Sequence, residues 1–185
     1  MTFGTTLGGV NMRVLLTVAV GLGFATAARA EVVDVQPNGF EVSETVHIAA
    51  PPDKVYAAFS QVGHWWDSDH SFSGDASHLS LDPTVGGCFC EALSGGGSTM
   101  HLRVIYAAPG KMLRLEGVLG PLQALGATGH LTWALKAKDG GTELVQTYDV
   151  GGYAKGGFAS WATPVDHVLG QQEMRLKAWV ETGKP

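Results

Sequence analysis

From Phe40 to Ile48 the residues mostly alternate apolar with polar, the pattern of a half-buried strand. Ala49-Ala50-Pro51-Pro52 ends it, and Pro52 suits the first turn of a helix through Val55, Tyr56 and Phe59, where the missing amide donor costs nothing. Gln61 to Trp66 predicts a second short helix or turn. From His64 to Asp75 the segment has no period but carries Trp65, Trp66 and Phe72, so it reads as an ordered loop with something to pack on. Short strands follow at His78–Leu81, Gly87–Leu93, Met100–Tyr106, Met112–Gly117, His130–Lys136 and Glu143–Val150. Asp82-Pro83, Ser94-Gly95-Gly96-Gly97, Pro109-Gly110 and Asp139-Gly140-Gly141 separate them, and such tight links imply neighbouring antiparallel strands.

Two stretches complete the pattern. Val118 to Gly126 is apolar but broken by Gly and Pro, either a flap over a cavity mouth or a loop packed on a helix. Phe158 to Glu181 is one amphipathic helix. Phe158, Trp161, Val165, Val168, Leu169, Leu176 and Trp179 form its apolar stripe, and Asp166, His167, Gln171, Glu173 and Lys177 the opposite face. Thr163-Pro164-Val165-Asp166 looks like a start signal within it, and Gly156-Gly157 a hinge before it. A helix with two tryptophans on its stripe needs a wide apolar surface, which the strands can supply. The order predicts an α+β helix-grip fold: seven antiparallel strands wrapped around a long C-terminal helix, with two short helices after the first strand.

Composition changes the picture at the N-terminus. Arg13 precedes an apolar run from Val14 to Ala27, and Ala28-Arg29-Ala30 follows, the three parts of a secretory signal peptide cleaved after Ala30. Met12 alone would give a tidier leader. The run falls short of the about 20 apolar residues of a membrane span, so no stable insertion is expected after cleavage, and the product would be periplasmic or secreted. The domain would then span residues 31–185. Without Arg13 and Arg29 the 12 basic residues fall to 10, against 17 acidic ones, for a net charge of −7 that argues against nucleic acid as partner. With 45% hydrophobic residues and 26 glycines, the chain suits a turn-rich sheet protein.

Candidate chemistry gathers on the strand Gly87–Leu93. Cys88 and Cys90 point to one face, and Phe89 and Glu91 to the other. Residues two apart in a strand lie near the ~7 Å Cα limit for bridging, so a disulfide, two packed thiols, or metal ligation with His101 or His70 all stay open. If Phe89 faces a cavity, so does Glu91, and burial there would raise its pKa and fit it as acid or base. Alternation sets His101 opposite Met100, Leu102, Val104 and Tyr106, on the outer face. A Glu91–His101 pair across neighbouring strands would be the best acid/base couple in the chain, with His70 of the aromatic loop a further candidate. Trp65, Trp66, Phe72, Phe89, Trp133, Tyr148, Trp161 and Leu122 could line a pocket for a planar or lipidic ligand, though core packing explains any one of them. Asp67-Ser68-Asp69 fails the calcium-loop pattern. No phosphate-binding loop, GxSxG or HExxH occurs, and no cofactor or metal is expected.

Ile48-Ala49-Ala50-Pro51-Pro52-Asp53-Lys54-Val55-Tyr56-Ala57-Ala58-Phe59 resembles the opening of the START-like, Bet v 1-like superfamily (SRPBCC), especially its branch related to the activator of Hsp90 ATPase. Gly86-Gly87 before a strand and Pro109-Gly110-Lys111-Met112-Leu113 at a hairpin are similar to that branch too. Trp65 to Gly74, with Gly87-Cys88-Phe89-Cys90-Glu91, resembles an exported bacterial group of the superfamily without an assigned reaction. The resemblance implies a hydrophobic cavity between sheet and helix and, in related branches, lipid binding, polyketide cyclisation or co-chaperone work. The expectation is an exported protein binding a small hydrophobic or aromatic ligand. The alternative is a cyclase- or hydratase-like enzyme using Glu91, His101 and His70. Export argues against a chaperone-interacting module.

Overall fold

In the computed structural model, which describes residues 1, 2, 4 and 29–185, one antiparallel sheet curves around a C-terminal helix. The proposed leader lies outside the described residues, apart from its two ends. The strands are β1 (Arg29–Gln36), β2 (Gly39–Ile48), β3 (Leu79–Leu81), β4 (Cys88–Ala92), β5 (Ser98–Ala108), β6 (Met112–Gly117), β7 (Gly126–Lys138) and β8 (Gly141–Tyr153). Their spatial order is β1-β2-β8-β7-β6-β5-β4-β3. Helices α1 (Pro52–Phe59) and α2 (Val62–Trp65) follow β2, and α3 (Ala159–Thr182) closes the chain.

The sheet has eight strands rather than the expected seven. The added one, β1, pairs with β2 through a turn at Pro37-Asn38, and its Val32 packs on the core. The last helix begins at Ala159, with Phe158 in the position before it and no side-chain cap, so Thr163-Pro164 is not its start. Pro164 sits inside the helix, where it removes one amide donor near the exposed N-terminal end. Gly183, in the left-handed region at φ 75°, ends it by donating its N–H to Trp179 O.

The polar face assigned to α3 is also corrected. Of its five residues, Glu173 is buried, as is the neighbouring Gln172, because the helix lies in the concave sheet and is covered on more than one side, while His167 and Gln171 are exposed as expected. Among the wall residues, Trp133 stacks on Phe59 at 4.6 Å and meets Trp65 edge-on at 6.3 Å, a core that anchors α1 and α2 to β7.

Alternation fails along β5 for a definite reason. Phe89 pairs with Leu102 and Cys90 with Met100, so His101 is an extra residue, a β-bulge that turns both His101 and Leu102 inward. A second irregularity, between Val104 and Tyr106, sends Tyr106 outward. Met100 and Tyr106 are consequently exposed, and His101 is buried.

Candidate functional site

A cleft of about 370 Å³ opens between the concave sheet and the N-terminal half of α3. Phe89, Trp66, Leu122, Leu169 and Tyr148 are its most buried lining residues. Three segments form its rim: Asp69 to Phe72, Leu119 to Leu122, and the α3 face of Trp161, Pro164, Val165 and Val168. Two sides of the rim are apolar, and the third carries Asp69, His70 and Ser71 beside a half-exposed Phe72.

Each segment is held by its own sequence. In the aromatic loop, the Asp67 and Asp75 carboxylates accept from the amides of Asp69 and Ser77, two short side-chain turns. Asp67 N–H donates to Gln172 Oε1 at 2.8 Å, and Arg175 Nε donates to Trp65 O at 2.8 Å, tying the loop to α3. The apolar stretch after β6 forms a short 3₁₀ turn, Gly120–Ala124, and serves as a cleft wall. Its Leu119 N–H donates to the Tyr148 hydroxyl at 3.0 Å.

The polar feature of this cleft is a pair. Phe89 and Glu91 do face inward from β4, and His101 Nε2 lies 2.9 Å from Glu91 Oε2. Glu91 also accepts from the amides of Phe72 at 3.1 Å and Ser73 at 2.5 Å. Burial alone would raise the Glu91 carboxyl. The hydrogen bonds from Ser73, His101 and Phe72 outweigh it and hold the group below its ordinary range. The raised pKa expected from burial is therefore corrected: Glu91 stands as a carboxylate that orients His101 and pins the Phe72 loop.

The other His101 nitrogen, Nδ1, lies 3.3 Å from Gln123 Nε2. That amide also reaches Met100 O, a pure acceptor, while Thr99 donates to Gln123 Oε1, so the Gln123 nitrogen faces His101. Both imidazole nitrogens are thus engaged, Nε2–H toward Glu91 and Nδ1 toward Gln123. Phe72 stacks on the ring at 5.5 Å. Gln123 had no signal in the sequence beyond its place in the apolar stretch.

Of the other expected site residues, His70 stands at the rim, with Nε2 3.3 Å from Gln171 Oε1, and it takes no part in the hydrogen bonds of the Glu91–His101 pair. Trp66, Phe72, Phe89, Tyr148, Trp161 and Leu122 all line the cleft. Trp65 and Trp133 do not; they are core residues, with indole N–H groups on Ala58 O and Gln146 Oε1. Cys88 and Cys90 form a disulfide on the outer face of β4, their Cα atoms 5.3 Å apart, which occupies both sulfurs. Among the described residues no three His, Cys, Asp or Glu side chains converge as metal ligands.

The sequence missed one buried group that the pattern does contain. Glu44 shares the inward phase of Phe40, Val42, Val46 and Ile48, and it is buried against α3 with Glu173.

Residues 39–178 match the family model described as polyketide cyclase / dehydrase and lipid transport. No curated protein matches the sequence. Among solved structures, a conserved protein of unknown function from Enterococcus faecalis is similar at 15% identity, over 87% of this chain and 81% of its own, with TM-score 0.60. CalU16 from Micromonospora echinospora is similar at 15% identity, over 86% and 88%, with TM-score 0.55. The Aha1 dimer from Colwellia psychrerythraea is similar at 18% identity, over 78% and 98%, with TM-score 0.53. The chain belongs to the polyketide cyclase / dehydrase and lipid transport family of the SRPBCC superfamily.

Proposed function

We propose that this is an exported protein that holds a small hydrophobic or aromatic molecule in the cleft between sheet and α3. The observation that carries the reading is the lining. Most of it is apolar, and the buried His101 on its wall, with Glu91 behind it, is already engaged by Gln123, while Ser73 and Phe72 occupy Glu91. Burying an apolar ligand there displaces water at about 25 cal/mol per Å² of apolar surface. The disulfide accords with export, since such bonds persist in oxidising compartments, as does the leader pattern before Glu31.

A second reading rests on one geometric fact: His101 lies on the cleft wall with a carboxylate 2.9 Å behind it, the arrangement of an oriented general base. A cyclase- or hydratase-like enzyme would use it once Gln123 had left Nδ1. Native mass spectrometry of protein purified from its own host, before and after denaturation, separates the two. The binding reading expects a mass excess that vanishes on denaturation. A bare mass in every preparation contradicts tight binding and moves the weight to a transient substrate.

A further inference from the structure

The interface between α3 and the sheet contains a set of buried acids that the cleft does not use. Trp133 carries an indole N–H that can only donate, and it takes Gln146 Oε1 at 2.7 Å. This fixes the Gln146 amide, whose nitrogen then points at Glu44 Oε2, 2.6 Å away, and at Leu169 O, 3.4 Å away. Glu44 Oε1 and both oxygens of Glu173 have no hydrogen-bond partner among the described residues. Both side chains are almost fully buried, at 1% and 2% exposure, where β2 and α3 pack together, near enough for a charge on Glu44 to act on Glu173.

Among the described residues the surroundings offer no compensating charge. From α3 itself come Asp166, whose Oδ1 is also buried without a partner, and His167 beside it; from β1 comes Glu31, facing Asp166. The basic side chains of this helix interface are turned elsewhere. Lys54 binds Val180 O, Arg175 binds the carbonyls of Trp65 and Trp66, and Lys177 binds His47 O and Glu181. Two carboxylates ionised together in such a site would repel in a low-dielectric interior with too few donors to replace water. Burial accordingly pushes Glu44 up to about 7, against its bond from Gln146, and lifts Glu173 well above the ordinary range.

We propose that a proton held by the Glu44–Glu173 pair keeps α3 seated on the sheet, so that the protein retains its ligand in acid and releases it as the pair ionises. The cleft is coupled to the pair through the helix: Leu169 lines the cleft one turn before Glu173, and Trp161, Val165 and Val168 continue the same wall. When the second carboxyl gives its proton to water, the repulsion acts directly on the element that forms that wall. The release half of this inference rests on the binding reading above.

The test compares amide hydrogen exchange in α3 with that in β7 of the same protein from pH 5 to 9, so that the intrinsic pH dependence of exchange cancels. In the native protein the opening of α3 relative to β7 should rise, approaching about tenfold per pH unit for each proton lost. In Glu173→Gln, and separately in Glu44→Gln, the rise should flatten. Titration with N-phenyl-1-naphthylamine, neutral over this range, should show at least about tenfold weaker binding at pH 9 than at pH 5 in the native protein and a shallower profile in either variant, where one buried carboxyl still titrates. A flat exchange ratio in the native protein, or the same pH course in both variants, would overturn the proposal. Probe binding that ignores pH overturns its release half. No probe binding at any pH, with exchange that still follows pH, would overturn the binding reading and leave the proton-seated helix standing.

Discussion

His101 reaches Glu91, Nε2 to Oε2 at 2.9 Å, because His101 is the unpaired residue of a bulge and not because regular pairing brings the two together. In the regular register Glu91 lies opposite Thr99. The bulge re-aims one imidazole into the cleft, and the carboxylate behind it gathers the Phe72 loop by two backbone amides.

Replacing Glu91 with Gln keeps the shape but exchanges one acceptor for a donor facing either the Ser73 amide or the Phe72 amide and His101. The expected cost is about 1–3 kcal/mol of stability in urea unfolding. Affinity for N-phenyl-1-naphthylamine should change less than about threefold, since the lining stays apolar. The pH dependence has a definite sign. A carboxylate held below its ordinary value stabilises the fold above about pH 4.5, and that stability is lost as pH falls through the lower folded value. The acid-side loss should shrink in the variant.

Glu44 acts in the opposite sense. Its carboxyl is raised from 4.5 to about 7 in the fold, so its contribution is complete below about pH 4.5 and fades as pH rises through 7. At one site this amounts to about 3 kcal/mol across the window. Urea unfolding from pH 4.5 to 8.5 should show the native protein losing stability with rising pH, and Glu44→Gln losing less.

These opposed carboxylates show what the sequence could and could not convey. The strand alternation in β2, the helix stripe of Trp161, Val165, Val168 and Leu169, and the tight turns between neighbouring strands were legible because each follows a fixed period or a turn chemistry. Glu44 was legible too: it stands in phase with four core residues. Glu173 lies four residues after Leu169 and three before Leu176, on the core side of the helix, yet charge suggested a solvated face. The bulge at His101 was not legible, because one inserted residue leaves no mark in composition and reverses the facing of His101 and Met100 while Leu102 and Val104 keep theirs. Trp65 and Trp133 could be told from Trp66 and Trp161 only in three dimensions, since core and cleft use the same aromatic residues.

The Cys88–Cys90 disulfide should contribute little to stability. It closes a ring so small that loop-entropy arguments give it roughly 1–2 kcal/mol, at the low end for such bonds. The double variant Cys88→Ser, Cys90→Ser should lose no more than that in urea unfolding. Free-thiol counting before and after reduction would check that the native bond had been present.

The most direct trial of the cleft as a binding site is to fill it. Val168 is half-buried on the α3 wall, so Val168→Trp places a large side chain in the opening with little disturbance to the core. Fluorescence titration with N-phenyl-1-naphthylamine should give saturable one-to-one binding to the native protein at pH 5 and at least about tenfold weaker binding to the variant, if the lost apolar contact is worth what burial usually is. Both proteins should unfold at similar urea concentrations. Equal binding by the two, or none by the native protein, would contradict the account.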